Sequence, residues 1–362
     1  MTAVDPADLR ERVSARLTAH LEQRSGLVTA LGPELEAPVA VLRELTTGGK
    51  LLRPAFCYWG YRAAGAPDGE EIVAAAAALE LLHVSALIHD DVMDGSDRRR
   101  GRPSAHRQFE QLHRTADWSG APEGFGYGAA ILLGDLVLAW SDELLRGCGL
   151  PADRVAAGTA VFEAMRTEVI AGQYLDLVAQ SAGDAPAGET EDAALSRALR
   201  VLRYKTAKYS VERPLQLGAT LAGAEPALVE AFSAFGIPLG EAFQLRDDLL
   251  GVFGDPERTG KPAGDDLREG KRTVLVATAM TAADDADRAT LRTLLGDPTL
   301  DADGVEQLRD VLVRTGAVDE VEKMIERLTA QAVDALADAP IVDPTARQVL
   351  ADLVVAATQR HE

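Results

Sequence analysis

Apolar residues recur at helical spacing along most of this chain. Between Ala7 and about Arg24, Leu9, Val13, Leu17 and Leu21 step by four, the interval that lines one face of a helix, and a second helix is predicted over Leu35–Leu45. Thr46-Thr47-Gly48-Gly49 then interrupts the pattern. A helix follows Arg53-Pro54 and runs through Tyr61. Asp68, with Glu71 three residues on, predicts a capping box for a long helix reaching Asp94, roughly 40 Å in length. That helix is apolar on every side, including the run Ala74 to Ala78, so it is expected to be surrounded by others. Arg114 to Gly128, with Trp118-Ser119-Gly120-Ala121-Pro122, reads as a loop, and Ser181 to Asp192 as another. Further helices are predicted over Gly128–Leu145, Ala152–Ala179, Ala194–Ala222 and Pro226–Val252. Gly254 to Gly270 reads as a glycine-rich loop, and Val274 to about Gln359 is helical with a break near Gly296-Asp297-Pro298. With no fixed-period repeat and no clear linker, the expectation is one all-helical domain over residues 1–362, with a peripheral N-terminal helix over residues 1–30.

Composition agrees with that pattern. Aromatic residues make up only 5% of the chain, and the apolar share is rich in Ala and Leu, which favour helix over sheet. The formal charge of −20 argues against general nucleic-acid binding, which needs a broad basic surface, so local basic clusters must serve something else. Cys57 and Cys148 are the only cysteines. Two thiols in apolar surroundings form neither a disulfide framework nor a zinc site, and a reducing cytoplasm fits them. The start, Met1-Thr2-Ala3-Val4-Asp5-Pro6, lacks a basic region followed by an apolar run. No stretch approaches the eighteen or so uninterrupted apolar residues of a membrane span, so no membrane anchor is expected.

The chemistry concentrates in two acidic motifs. Asp90-Asp91-Val92-Met93-Asp94 and Phe243-Gln244-Leu245-Arg246-Asp247-Asp248 both lie inside apolar helical patterns, and both are followed by basic residues. At about 100° per residue, Asp90, Asp91 and Asp94 fall in one sector of their helix, as do Gln244, Asp247 and Asp248 of theirs. Hard oxygen ligands in this arrangement suit magnesium bridged to phosphate oxygens. Alone, one such motif is most often a solvated acidic face, and Arg98-Arg99-Arg100-Gly101-Arg102 most often a solvated charge run. The pairing of the two kinds changes the reading.

The stretch from Glu80 to Ser104 resembles the first aspartate-rich region of the trans-isoprenyl diphosphate synthases, or polyprenyl synthetases, and the stretch from Phe243 to Thr273 their second. Gly48-Gly49-Lys50 with Arg53-Pro54, Leu133-Gly134-Asp135, Gly172-Gln173 with Asp176, and Lys205-Thr206-Ala207 extend the likeness over nearly the whole chain. The resemblance implies an isoprenoid synthase fold, a homodimer, and head-to-tail condensation of isopentenyl diphosphate with an allylic diphosphate. It also implies magnesium, three ions with substrate bound. Asp90, Asp94 and Asp247 would be direct ligands, with Asp91 and Asp248 acting through water or in secondary roles. Arg99, Lys205, Thr206, Gln244, Lys261 and Lys271 would serve the allylic diphosphate, and Lys50, Arg53, His83 and Arg100 a purely cationic cradle for isopentenyl diphosphate. Gln244 and the backbone oxygens near Lys205 and Thr206 would stabilise the allylic cation. His89 has no such support and reads as structural.

One departure stands out: the second motif usually reads DDxxD, and here its last position is Gly251. Water is expected to replace that carboxylate, with weaker metal affinity rather than loss of activity. The small residues Ser85 and Ala86, one turn before Asp90, disfavour an early stop to a growing prenyl chain and point to geranylgeranyl diphosphate. A terpene cyclase would share the metal chemistry but have no use for Lys50, Arg53 and His83. A non-catalytic subunit of a heteromeric synthase would typically lack one acidic motif outright.

Overall fold

The computed structural model describes residues 8–182, 191–254, 264–297 and 299–358. The fold is all-α, relieved among the described residues only by one two-stranded hairpin. The chain packs as two compact units, one of residues 1–159 with 217–223, the other of residues 160–216 with 224–362.

In the first unit, α1 (Leu9–Thr29), α2 (Glu36–Leu45), α3 (Leu52–Ala63), α4 (Glu70–Asp94), α5 (Ala105–Thr115) and α6 (Pro122–Arg146) pack around α4. Helices α1, α3, α5 and α6 all touch α4, and Ile72 through Leu82 is buried without a break, as its all-round apolarity requires. α4 and α6 are both long and apolar enough to cross a membrane, but 78% of the most apolar stretch of α4 is buried within the protein.

The capping box predicted at Asp68 does not form. Gly69 is the N-cap of α4 and no side chain caps it. The Asp68 carboxylate instead accepts hydrogen bonds from the Tyr58 hydroxyl at 2.9 Å and Arg12 Nη1 at 3.0 Å. Arg12 also reaches Glu70, which fixes α1 to the start of α4. The loop predicted over residues 114–128 is shorter than expected, because α5 runs to Thr115 and α6 starts at Pro122. Proline suits that first helical turn, where its missing N–H would have had no partner.

The second unit holds α8 (Glu191–Val201), the π-helical segment Leu202–Glu212, α10 (Pro226–Phe253), α11 (Asp265–Arg268), α12 (Val274–Ala282), α13 (Asp285–Leu294), α14 (Ala302–Arg314), α15 (Ala317–Asp338) and α16 (Pro344–Thr358). α7 (Ala152–Ala182) and α9 (Arg213–Ala222) contribute to both units. α10 packs against the π segment, α15 and α16. Arg246 on α10 pairs both of its terminal nitrogens with Glu322 at 2.6 Å and donates from Nε to the Thr358 carbonyl, pinning α10 to α15 and α16. The surface connection predicted over Ser181–Asp192 lies largely outside the described residues.

Candidate active site

The first acidic motif ends α4. Asp90 and Asp94 are half-buried one turn apart, and Asp91 is 1% exposed. Burying that carboxylate requires a partner, and the basic run after the helix supplies it. Residues 98–103 form a hairpin, β1 (Arg98–Arg99) pairing β2 (Arg102–Pro103) with Arg99 opposite Arg102. Its two turn residues, Arg100 and Gly101, both have positive φ, 53° and 76°, as the tightest hairpin turns require. The turn directs Arg99 back to α4, where its Nε donates to Asp91 Oδ1 at 2.9 Å and its Nη2 lies 3.5 Å from Asp90 Oδ2. What reads in sequence as a charge run is thus a device for aiming one arginine.

Beside it, Arg100 Nη2 lies 3.6 Å from Glu80, which is 2% exposed on α4. Burial raises the pKa of Glu80, and the charges of Arg53, Arg100 and Arg10 oppose that shift. Arg53 is half-buried near the start of α3, Lys50 is exposed just before it, and His83 is half-buried on α4. His83 departs from the expected cationic cradle. Its enclosure, followed by the charges of Arg53, Arg100 and Arg99, holds its pKa well below the ordinary histidine range in the substrate-free protein, which favours the neutral imidazole there.

Ser85 and Ala86 differ in surroundings. Ser85 is buried and its hydroxyl donates to the Gly134 carbonyl of α6 at 2.8 Å, whereas Ala86 is half-buried. His89 sits against α6 as well, 3.2 Å from the Ile131 carbonyl and 3.4 Å from Asp135.

The second acidic motif lies on α10 in the second unit. Asp247 is half-buried, and Asp248 is buried with Gln244 Nε2 donating to its Oδ1 at 2.7 Å. Burial pushes the Asp248 carboxyl up to about 7. The Gln244 hydrogen bond opposes that shift, and the charges of Asp266 and Asp247 reinforce it. At the missing third position, the space beside Gly251 is taken: an added Cβ would lie 2.0 Å from Asp266 Oδ2. A carboxylate carried by α11 therefore stands where the side chain of a residue at position 251 would begin.

Lys271 Nζ bonds Asp266 at 3.1 Å and Glu269 at 2.6 Å. Lys205 is half-buried in the π segment and reaches Asp176 of α7 at 2.6 Å, with Thr206 buried beside it. Gly172 lets α7 approach this closely, since a Cβ there would meet the Lys205 backbone nitrogen at 2.5 Å. π-helical turns inside longer helices are frequent at functional sites. Lys261 lies outside the described residues.

The polyprenyl synthetase family model matches residues 36–312. The chain belongs to the polyprenyl synthetase family. Its relatives include a geranylfarnesyl diphosphate synthase of Aeropyrum pernix, 31% identical over 86% of this chain and 90% of that protein. A (2E,6E)-farnesyl diphosphate synthase of Mycobacterium bovis is 34% identical over 83% of this chain and 77% of its own length. Among solved structures, a geranylgeranyl pyrophosphate synthase of Corynebacterium glutamicum, complexed with isoprenyl diphosphate and magnesium, superposes with a TM-score of 0.91. It is 40% identical, over 98% of this chain and 99% of that one.

Residues of this synthetase fit magnesium by the chemistry of their donors. Among the described residues, no three His, Cys, Asp or Glu side chains converge as a ready metal cage. Magnesium needs none, because it keeps waters and takes one or two carboxylates together with substrate phosphates. Asp90 and Asp94, half-buried one turn apart on α4, carry donors of that kind. Sequence reasoning gave no role to Glu80, Asp176 or Asp266, the acids on which Arg100, Lys205 and Lys271 rest. Glu80 was nonetheless legible as an acid inside the most apolar helix, a position that a carboxylate occupies only when paired.

Proposed function

We propose that this chain elongates an allylic diphosphate (dimethylallyl, geranyl or farnesyl) with isopentenyl diphosphate to give geranylgeranyl diphosphate. Membership of the family makes it a trans-type prenyltransferase; the product is our reading. The likeness to the Corynebacterium geranylgeranyl pyrophosphate synthase over nearly the full length of both chains carries it, and the small Ala86 side chain supports it.

In this reading Asp90, Asp94 and Asp247 hold magnesium, three ions with substrate bound, and Asp91 and Asp248 assist from behind. Bound magnesium supplies positive charge to the diphosphate oxygens as the allylic C–O bond breaks. Arg99, Lys205, Lys261 and Lys271 bind the same leaving group. Carboxylate partners hold Arg99, Lys205 and Lys271 in position before substrate arrives, so little reorganisation is needed when charge develops. Gln244 and the carbonyl groups around Lys205 and Thr206 face the allylic cation with oxygen. Lys50, Arg53 and Arg100 bind the diphosphate of isopentenyl diphosphate without metal, and His83 adds a hydrogen bond. The double bond of that substrate attacks the cation, and a proton then leaves to the released diphosphate.

The proposal takes the whole chain as one catalytic domain, acting as a homodimer in the cytoplasm. Its test is chromatography of the products formed from radiolabelled isopentenyl diphosphate and each allylic primer. Geranylgeranyl diphosphate is expected as the main end product from every primer, and a farnesyl or a much longer end product would refute the assignment.

A further inference from the structure

The segment Thr47 to Leu51 is tied to the flanking helices at its ends, the Thr47 N–H donating to the Glu44 carbonyl and the Leu51 carbonyl accepting from the Ala55 N–H, and between those ends side chains from other elements reach its backbone. It has neither helical nor strand structure, Gly48 and Gly49 take φ of 85° and 86°, and Leu51 is also left-handed at 49°. Two consecutive glycines leave the backbone between those ends many alternatives, which contacts from other elements narrow. Two arginines make these contacts. Arg100 lies against Gly49, 2.8 Å from where a Cβ would stand, and donates from Nη1 to the Leu45 carbonyl at 3.2 Å. Arg10 of α1 donates from Nη1 to the Gly49 carbonyl at 2.8 Å and from Nη2 to the Lys50 carbonyl at 3.3 Å.

Arg10 lies before residue 36, where the family match begins. Its helix is firmly seated, because Leu9, Val13, Leu17 and Leu21 are buried and Arg12 is bridged to Asp68 and Glu70. Arg10 is therefore an exposed side chain on a fixed stretch of helix, and the two carbonyls it holds flank the backbone that presents Lys50.

We infer that Arg10 is a positioning residue for isopentenyl diphosphate, fixing the Gly49–Lys50 backbone so that Lys50 and Arg53 meet the metal-free diphosphate of that substrate. The inference rests on the role proposed above for Lys50 and Arg53. Hydrogen bonds from a charged donor are the stronger kind, so losing both should disturb the loop while leaving α1 in place.

The test is steady-state kinetics on the full-length enzyme. Arg10→Ala is expected to raise the KM for isopentenyl diphosphate about tenfold, with kcat and the KM for the allylic primer nearly unchanged. Arg10→Lys, which can still reach one carbonyl, should recover part of the loss. Arg12→Ala serves as the control, since it weakens the seating of α1 without touching the loop carbonyls, and should lower stability but not raise this KM. An unchanged KM in Arg10→Ala overturns the inference, and so does an equal rise in Arg10→Ala and Arg12→Ala. Lys50→Ala separates the two levels. If it raises the KM and Arg10→Ala does not, the inference fails alone; if Lys50→Ala has no effect, the reading of the loop fails and the inference with it.

Discussion

Arg99 Nε donates to Asp91 Oδ1 at 2.9 Å, joining the first strand of the hairpin to the last turn of α4. The contact sorts three neighbouring aspartates into two kinds. Asp91 is hidden against Arg99, while Asp90, 3.5 Å from the same arginine, and Asp94 are half-buried. Removing one member of a buried pair leaves the other charged and desolvated. Arg99→Leu should therefore destabilise the protein by about 3 kcal/mol in urea unfolding, and Arg99→Leu with Asp91→Leu by much less than the sum of the single changes. Additive losses would show that the two side chains do not depend on each other.

Asp248 links pH to stability. Its carboxyl is pushed from the ordinary aspartate range up to about 7 in the folded, metal-free protein, first by burial. The folded state thus binds a proton that the unfolded state releases, and stability falls as pH rises between about 4 and 7 and levels off above. Asp248→Asn should flatten that part of the profile in metal-free urea titrations. An unaltered slope would mean that another group carries it.

Gly251 faces the end of the Asp266 side chain, whose other carboxylate oxygen is bonded to Lys271 at 3.1 Å. Gly251→Asp, which restores the usual motif, would drive a second carboxylate into the space of Asp266 Oδ2. The expected result is a loss of about 1–3 kcal/mol and no improvement in magnesium dependence. Adding Asp266→Ala should recover most of the lost stability. A stabilised Gly251→Asp single variant would contradict this packing.

Chain length offers a comparison between adjacent residues. Ala86→Phe should shorten the product at nearly normal stability, measured by radio-chromatography and thermal unfolding. Ser85→Phe should instead disrupt the contact with the Gly134 carbonyl and cost stability in the range of overpacked cores, about 1–3 kcal/mol. Equal effects on product length would remove the distinction between the two positions.

Periodicity alone was enough to reveal the long helices. α4 and α10 end within a residue of their predicted C-termini because apolar runs and a following glycine fix those positions. The local devices were not legible. The hairpin at Arg98–Pro103 is too short to show a strand period, and the π segment over Leu202–Glu212 has the composition of ordinary helix. α5 was given no element of its own, and the predicted loop from Arg114 to Gly128 covered the first turns of α6, where Gly124, Gly126 and Gly128 break the helical pattern of the sequence. The site was legible as a set of residue types, but its internal pairing was not. Nothing in the sequence says that Arg99 rests on Asp91 or Lys205 on Asp176, or that His83 has a lowered pKa in the substrate-free protein, since each depends on burial and on residues brought together by folding.

The most direct test is incorporation of labelled isopentenyl diphosphate into an allylic primer by the purified protein, with magnesium and with a chelator. The account predicts elongated product only when magnesium and both substrates are present. Contradiction would be no incorporation at saturating magnesium, incorporation that survives the chelator, or a cyclic hydrocarbon formed from the allylic substrate alone.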